Sequence, residues 1–355
     1  MAKVSIKKFL AFFIIIIGTA SLLRTLVLNI DINLQDFQIY YDSVKILQSA
    51  ENPYIYPGPT PSPLFLYLLY PLTYFNSTTA ANIWTIASIL FGIFSIFLLY
   101  RHKKMNLLKI SIVFLLLALS FPFKFTTGMG QVNLLVLFLI TLFLLIYKRH
   151  RFTSSALLVI AGFIKIFPLA LILVAKDRKV FKFSLFLFIL FLLVTYLLSS
   201  DVFIYYSKDV FIPLLTGSKG VFYYNQSLDG FFNRVELNSV IGILIRLALL
   251  ITVTLIIFLK EISIEKRVSL FIVTFLIISS VTWQHHLVFL LIPFYFLYAN
   301  LKSYSSIFLL ALAYLLVSFN IKNPLSVSFL APIILSHGVF GMFILLYLLL
   351  KNSVK

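Results

Sequence analysis

Long apolar runs without alternation constrain this chain more than any other feature. Asn82 to Tyr100 holds no charged residue, and Val240 to Leu259 holds only Arg246. A run of roughly 20 apolar residues is long enough to cross a bilayer as a helix. Lipid cannot satisfy backbone polar groups, so such runs must be helices or a closed barrel, and runs lacking a two-residue period select helices. Composition agrees: 61% of the 355 residues are hydrophobic and 11% are charged, with mean hydropathy +1.07. That leaves too little polar side chain to cover a water-soluble surface. The expected fold class is an all-α polytopic membrane protein, one membrane domain over residues 1–355.

The net charge of +18 does not point to nucleic acid, because the basic residues fall in short clusters between apolar runs. Those clusters occupy 101–104, 148–151, 176–182, 260–267, Lys302 and the C-terminus, the pattern of cytoplasmic loops under the positive-inside rule. The first run, Phe9 to Leu28 with Arg24 snorkelling near its far end, reads as an uncleaved span. Further crossings are expected near 82–100, 107–121, 131–147, 183–198, 240–259, 268–282, 287–298, 307–319 and 332–350. That makes about ten spans of the cell membrane, with both termini cytoplasmic. Two segments break the pattern. Leu64 to Phe75, short and interrupted by Pro71, reads as re-entrant or surface-lying. Ala156 to Val174, with Gly162 and Pro168, lies between two inside clusters and reads as a re-entrant hairpin. The outer face then carries a first loop at 29–62, a second at 200–237, and short loops at 122–130 and 283–286. Within the first, Phe37, Tyr40, Tyr41, Val44 and Leu47 are spaced for an amphipathic surface helix from Asp36 to Ser49. The chain has no cysteine, which excludes disulfides, thiolate metal sites and cysteine nucleophiles.

Polar residues at membrane depth are costly and mark function by default. Those near the outer side are Asp31, Asp36, Tyr40, Tyr54, Lys124, Gln131, Asn133, Lys165, Asn225, Gln226, Arg234, Arg246, Trp283, His285 and His286. A carboxylate can deprotonate a hydroxyl, and cations can stabilise a departing phosphate. Each residue also has a structural reading. Asp36 would cap the surface helix, Asp31 would solvate a loop, and Lys124 would anchor at the interface. Lys165 would snorkel, and Arg246 would snorkel or form a structural pair. Gln131 and Asn133 would bond helices together. Adjacent His285 and His286 point about 100° apart on a helix and lack a third ligand, so no metal is assigned.

The order of motifs carries a resemblance. It runs Asp36-Phe-Gln-Ile-Tyr-Tyr41, Asn52-Pro-Tyr54, a proline-rich entry to an apolar segment, Gly130-Gln-Val-Asn133, Ala161-Gly-Phe-Ile-Lys165 with Pro168, Asn225-Gln-Ser-Leu228 and Trp283-Gln-His-His286. This resembles glycosyltransferase family 87, polyprenol-phosphate-mannose-dependent mannosyltransferases of the GT-C superfamily. The resemblance implies a GT-C-like helical bundle with its site on the non-cytoplasmic face. It implies a polyprenyl-phosphate-linked sugar donor, a glycolipid or glycan acceptor, no cofactor, and transfer of a hexose, mannose by default, with inversion. Asp36 stands where the family has its general base, with Asp31 as near neighbour; His285 and His286 would line the site. A lipid-linked-sugar flippase or other transporter is the alternative, which paired inverted repeats would favour; none is visible.

Overall fold

A computed structural model of the chain describes residues 6–55, 59–213, 225–321 and 330–351. Among these the architecture is all-helical, as expected. The helices are α1 (Ile6–Asn29), α2 (Gln35–Gln48), α3 (Pro63–Leu69), α4 (Ser77–His102), α5 (Leu107–Leu119), α6 (Phe121–Met129), α7 (Asn133–Ile146), α8 (Arg151–Ile164) and α9 (Leu171–Val174). They continue with α10 (Arg178–Leu198), α11 (Ser200–Tyr205), α12 (Leu228–Arg234), α13 (Ser239–Leu259), α14 (Ile264–Ile278), α15 (Leu291–Asn300), α16 (Tyr304–Ser318), α17 (Ala331–Leu335) and α18 (His337–Lys351). The chain divides into two compact units, Met1–Leu119 with Thr126–Thr216, and Ser120–Phe125 with Gly217–Lys355.

Short polar side chains start several helices by accepting from otherwise orphaned amides. Asn76 accepts from the Thr79 N–H at the head of α4 at 2.8 Å. Asp177 accepts from Lys179 and Val180 at the head of α10 at 2.9 and 3.2 Å. Ser227 accepts from Gly230 at the head of α12 at 3.0 Å.

In the first unit, α1 packs on α5, α4 on α7, and α7 and α10 on α8. Helix α7 is the buried centre, with Leu134, Val136, Leu137, Ile140, Phe143 and Leu144 fully enclosed. By contrast α1 and α10 expose many large apolar side chains, including Phe9, Phe12, Ile16, Phe186 and Leu197. In water that surface would be a liability; in a bilayer it is the lipid-facing side. In the second unit, α14 lies at the centre, with α13 and α18 against it and α16 on α18. Helix α13 presents Val240, Leu244, Leu247, Ile251 and Leu255 outward.

The expected ten spans are not confirmed. Four described helices are long and apolar enough to cross a membrane: α1, α4, α10 and α13; α5 with α6 would add a fifth if that bent pair crosses as one. The shorter apolar helices α7, α8, α16 and α18 have 14 or 15 residues. At 1.5 Å per residue each reaches only about 20–23 Å of a core about 30 Å thick. Apolar runs of spanning length are cut by local breaks. Ser336 separates α17 from α18, and a 3-10 turn over Gln284–Leu290 precedes α15. The expected short loop at 122–130 is instead largely helical, as α6.

The two expected irregular segments are present. Residues 63–74 form α3 and a 3-10 turn of five residues, too short to span. The 156–174 segment is a broken helix: α8 ends at Lys165, whose backbone is extended (φ −141°, ψ 135°), and a 3-10 turn through Pro168 leads into α9. Arg151 at the head of α8 pairs with Asp177 ahead of α10 at 2.9 Å, which ties the two ends of this segment together.

Candidate active site

The amphipathic helix α2 is where the sequence places it. Its buried face is Phe37, Tyr40, Tyr41 and Val44, spaced i, i+3, i+4, i+7. Polar bonds fix it to the 70–75 turn: the Tyr41 hydroxyl donates to the Phe75 carbonyl at 2.7 Å, the Lys45 ammonium to the Thr73 carbonyl at 3.1 Å, and Gln48 to the Thr73 hydroxyl at 2.6 Å. The residue ahead of the helix, Leu34, makes no side-chain cap. Asp36 therefore does not cap α2; its carboxylate is engaged elsewhere.

That engagement comes from the turn between α6 and α7. Gly130 adopts φ +71°, a left-handed conformation that glycine takes without strain. A Cβ there would fall 2.5 Å from the Phe37 Cβ, so the turn lies directly on α2. Its carbonyl accepts from the Trp84 indole at 2.9 Å, and Trp84 stacks on Phe37 with centroids 5.8 Å apart. Held this way, the next residue, Gln131, donates from Nε2 to the Asp36 Oδ2 at 2.6 Å and accepts at Oε1 from the Tyr40 hydroxyl at 3.4 Å.

Lys165 sits at the helix break after α8, close enough to Asp36 for their charges to interact. Burial raises the Asp36 carboxyl above its ordinary range, while the Gln131 hydrogen bond and the Lys165 charge oppose that rise. The group remains only half-buried. It is thus a half-buried carboxylate whose basicity burial raises.

The other candidates in this unit land in structural bonds. Asp31, at φ +58°, is exposed and locked to Asn82, which accepts from its N–H at 3.0 Å and donates to its carboxylate at 2.9 Å. The buried Tyr54 donates to the Pro61 carbonyl at 2.8 Å, and its ring lies 5.0 Å from that of Tyr206. Asn133, fully buried at the start of α7, donates to Thr126 at 3.4 Å.

In the second unit the polar candidates form a knot. Asn225 donates to the Ser280 carbonyl at 3.0 Å and accepts from the Ser227 and Thr282 amides at 3.1 and 2.9 Å. Gln226 donates to the Leu335 carbonyl at 2.8 Å and accepts from the Gly338 amide at 2.9 Å. Arg234 donates through Nε and Nη2 to the Ser336 hydroxyl at 3.1 and 2.8 Å, and through Nη1 to the Asn225 carbonyl at 2.9 Å. Arg246 pairs with Asp229 at 3.1 Å across α12 and α13.

Beside the knot, Trp283 lies parallel to His285, with centroids 6.1 Å apart; His286 meets His285 edge-on at 4.5 Å, and Phe125 lies 5.3 Å from His285. The His286 Nδ1 accepts from the Trp283 N–H at 3.2 Å. Lys124 neighbours Phe125 on α6 and is half-buried. Residues Tyr223 and Tyr224, part of the expected second loop, lie outside the described residues. Among those described, no group of three or more His, Asp or Glu gathers in a metal-holding arrangement.

Sequence reading missed several partners. Ser336 and His337 interrupt the apolar run 332–350, and the cost of polar groups in lipid was signal enough to pick them out. His337 meets Gln284 at 3.3 Å and the Leu316 carbonyl. Trp84 and Gly130 act through shape and backbone, which residue type does not announce.

A comparison with curated proteins finds no match. The family model described as glycosyltransferase family 87 matches residues 54–293, more than half of the chain. The match contains Gln131, Lys165, the Asn225–Arg234 segment and Trp283–His286, while Asp36 lies ahead of it. With that extent covered, the chain belongs to glycosyltransferase family 87, and the protein is a glycosyltransferase built on transmembrane helices.

Proposed function

We propose that the protein transfers a hexose, mannose in the first instance, from a polyprenyl-phosphate-linked donor to a hydroxyl of a glycolipid or glycan acceptor. The reaction would run on the non-cytoplasmic face of the cell membrane, with Asp36 as general base. The observation that carries this reading is the setting of Asp36: a half-buried carboxylate with Gln131 at 2.6 Å and the Lys165 charge nearby. Family membership supplies the reaction class, and the lipid-facing helices suit a donor whose prenyl chain stays in the bilayer.

In the proposed step the acceptor oxygen attacks the anomeric carbon and its proton passes to Asp36. The bond between that carbon and the phosphate oxygen breaks, and its electron pair leaves with the polyprenyl phosphate. A phosphate leaves without being protonated, so one base suffices. A single displacement inverts the anomeric centre. Lys165 offers a positive charge near the base and the departing phosphate. Lys165 is the cation whose charge reaches Asp36, which makes it the phosphate partner of this reading.

The base must be ionised, so transfer should fall as pH drops through the raised Asp36 value, above the 3.8 of an ordinary aspartate. Replacing Asp36 with Asn should cost roughly 10²–10⁴-fold in transfer from a labelled polyprenyl-phosphate-mannose donor. Full activity in that variant would remove Asp36 from the mechanism.

A further inference from the structure

We infer that Tyr40 is a positioning residue for the base: its hydroxyl fixes the Gln131 amide so that Nε2 faces Asp36, in a relay Tyr40–Gln131–Asp36. The inference rests on the proposed role of Asp36 and adds a member that does not itself touch the reacting atoms.

A glutamine side chain next to a carboxylate has two orientations related by a flip. One points N–H at the carboxylate; the other points a carbonyl oxygen at it and is repulsive. The orientation seen is supported at both ends, with Nε2 donating to Asp36 at 2.6 Å and Oε1 accepting from Tyr40 at 3.4 Å. Donation into the carbonyl end also polarises the amide and strengthens its N–H as a donor. The Tyr40 contact is the longer of the two, and the scaffold around it sets its position. Tyr40 and Asp36 lie one helical turn apart on α2 and so face the same way. The Tyr40 ring is buried, with Phe65 edge-on at 5.9 Å. Gln131 is placed by the Gly130 turn, pressed onto Phe37 and tied to Trp84.

Few other charges act on Asp36 from within this unit. Lys165 comes from the break after α8. On α2 itself stand Asp42, bonded to Gln38 at 2.7 Å, and Lys45, turned to the Thr73 carbonyl. Of the elements packed on α2, α3 carries Tyr67, the 3-10 turn carries Tyr70 and Tyr74, and α4 carries no titratable side chain before Tyr100. None of these tyrosines ionises in the acid range where a carboxyl titrates.

The test reads the carboxyl directly and needs no acceptor. Infrared difference spectra of the full chain in lipid nanodiscs, referenced to Asp36→Asn, give the pH midpoint of Asp36 protonation. Tyr40→Phe removes one oxygen and keeps the ring against Phe65. Its midpoint should move up, in the same direction as that of Gln131→Leu and by less. The double variant should move no further than Gln131→Leu alone, because Tyr40 acts through the amide. An unchanged midpoint in Tyr40→Phe, or shifts that add in the double variant, would overturn the relay. Should Tyr40→Phe not fold, Gln131→Leu against Gln131→Asn decides: the shorter amide cannot span both partners and should move the midpoint up as Gln131→Leu does. A Gln131→Asn midpoint equal to wild type would reject the relay. Full transfer activity in Asp36→Asn would remove Asp36 as the base and leave the infrared result standing, so the two failures are distinguishable.

Discussion

Asp36 and Arg234 are both charged groups expected near membrane depth, and their surroundings differ in kind. The Arg234 guanidinium spends three nitrogens on Ser336 and the Asn225 carbonyl, and its neighbours Asn225 and Gln226 are fully buried and each bonded to several backbone groups. Asp36 receives one short side-chain hydrogen bond, feels one nearby cation and stays half-exposed. A polar side chain whose hydrogen-bonding capacity is spent on its protein neighbours holds an irregular segment together. One with capacity left over can do chemistry. The knot closes the segments 225–227, 280–283 and 335–338, where helices are interrupted and backbone groups would otherwise go unsatisfied.

If this contrast is right, variants in the knot should cost folding. Arg234→Met should lower stability by about 3 kcal/mol, since hydrogen bonds to charged groups contribute about 1.5–3 kcal/mol, visible as a drop in thermal unfolding temperature in detergent. A wild-type unfolding temperature would return Arg234 to the pool of substrate-binding cations. Gly130→Ala should come next, at about 1–3 kcal/mol, because the new Cβ collides with Phe37 at φ +71°. Unlike Arg234→Met it should also depress transfer per folded molecule, since it displaces Gln131. Equal transfer per folded molecule would break the link between the turn and the base. Arg151→Met, at a pair whose arginine side chain is 41% exposed, should change stability by less than about 1 kcal/mol. A larger loss by the same unfolding assay would mean that the broken helix over 156–174 depends on that tie.

Much of the fold could be read from the order of residues. The apolar face of α2 was visible in its spacing, and Gly162 with Pro168 marked the break that carries Lys165. The span count was not legible, because an apolar run does not say where its helix stops. Ser336 and the 3-10 turn over 284–290 interrupt apolar runs, so no single described helix there reaches spanning length. In the site region, Gln131 and Lys165 stand out in the sequence as polar groups in apolar surroundings, and the structure brings both to Asp36. Their placement was not readable. It depends on a glycine at positive φ, an indole bonded to a carbonyl and a ring stacked on a ring, none of which leaves a mark in composition or period. Asp31 and Asp36 looked alike in sequence; the Asn82 lock on one and the Gln131 bond to the other tell them apart.

That difference gives the most direct measurement. Asp36→Asn and Asp31→Asn, purified at matched folded amounts, should be assayed side by side for mannose transfer from a polyprenyl-phosphate donor. Asp36→Asn should lose at least about 100-fold in transfer, and Asp31→Asn should transfer at near the wild-type rate. Retained activity in Asp36→Asn, or a dead Asp31→Asn beside it, would contradict the assignment of the base.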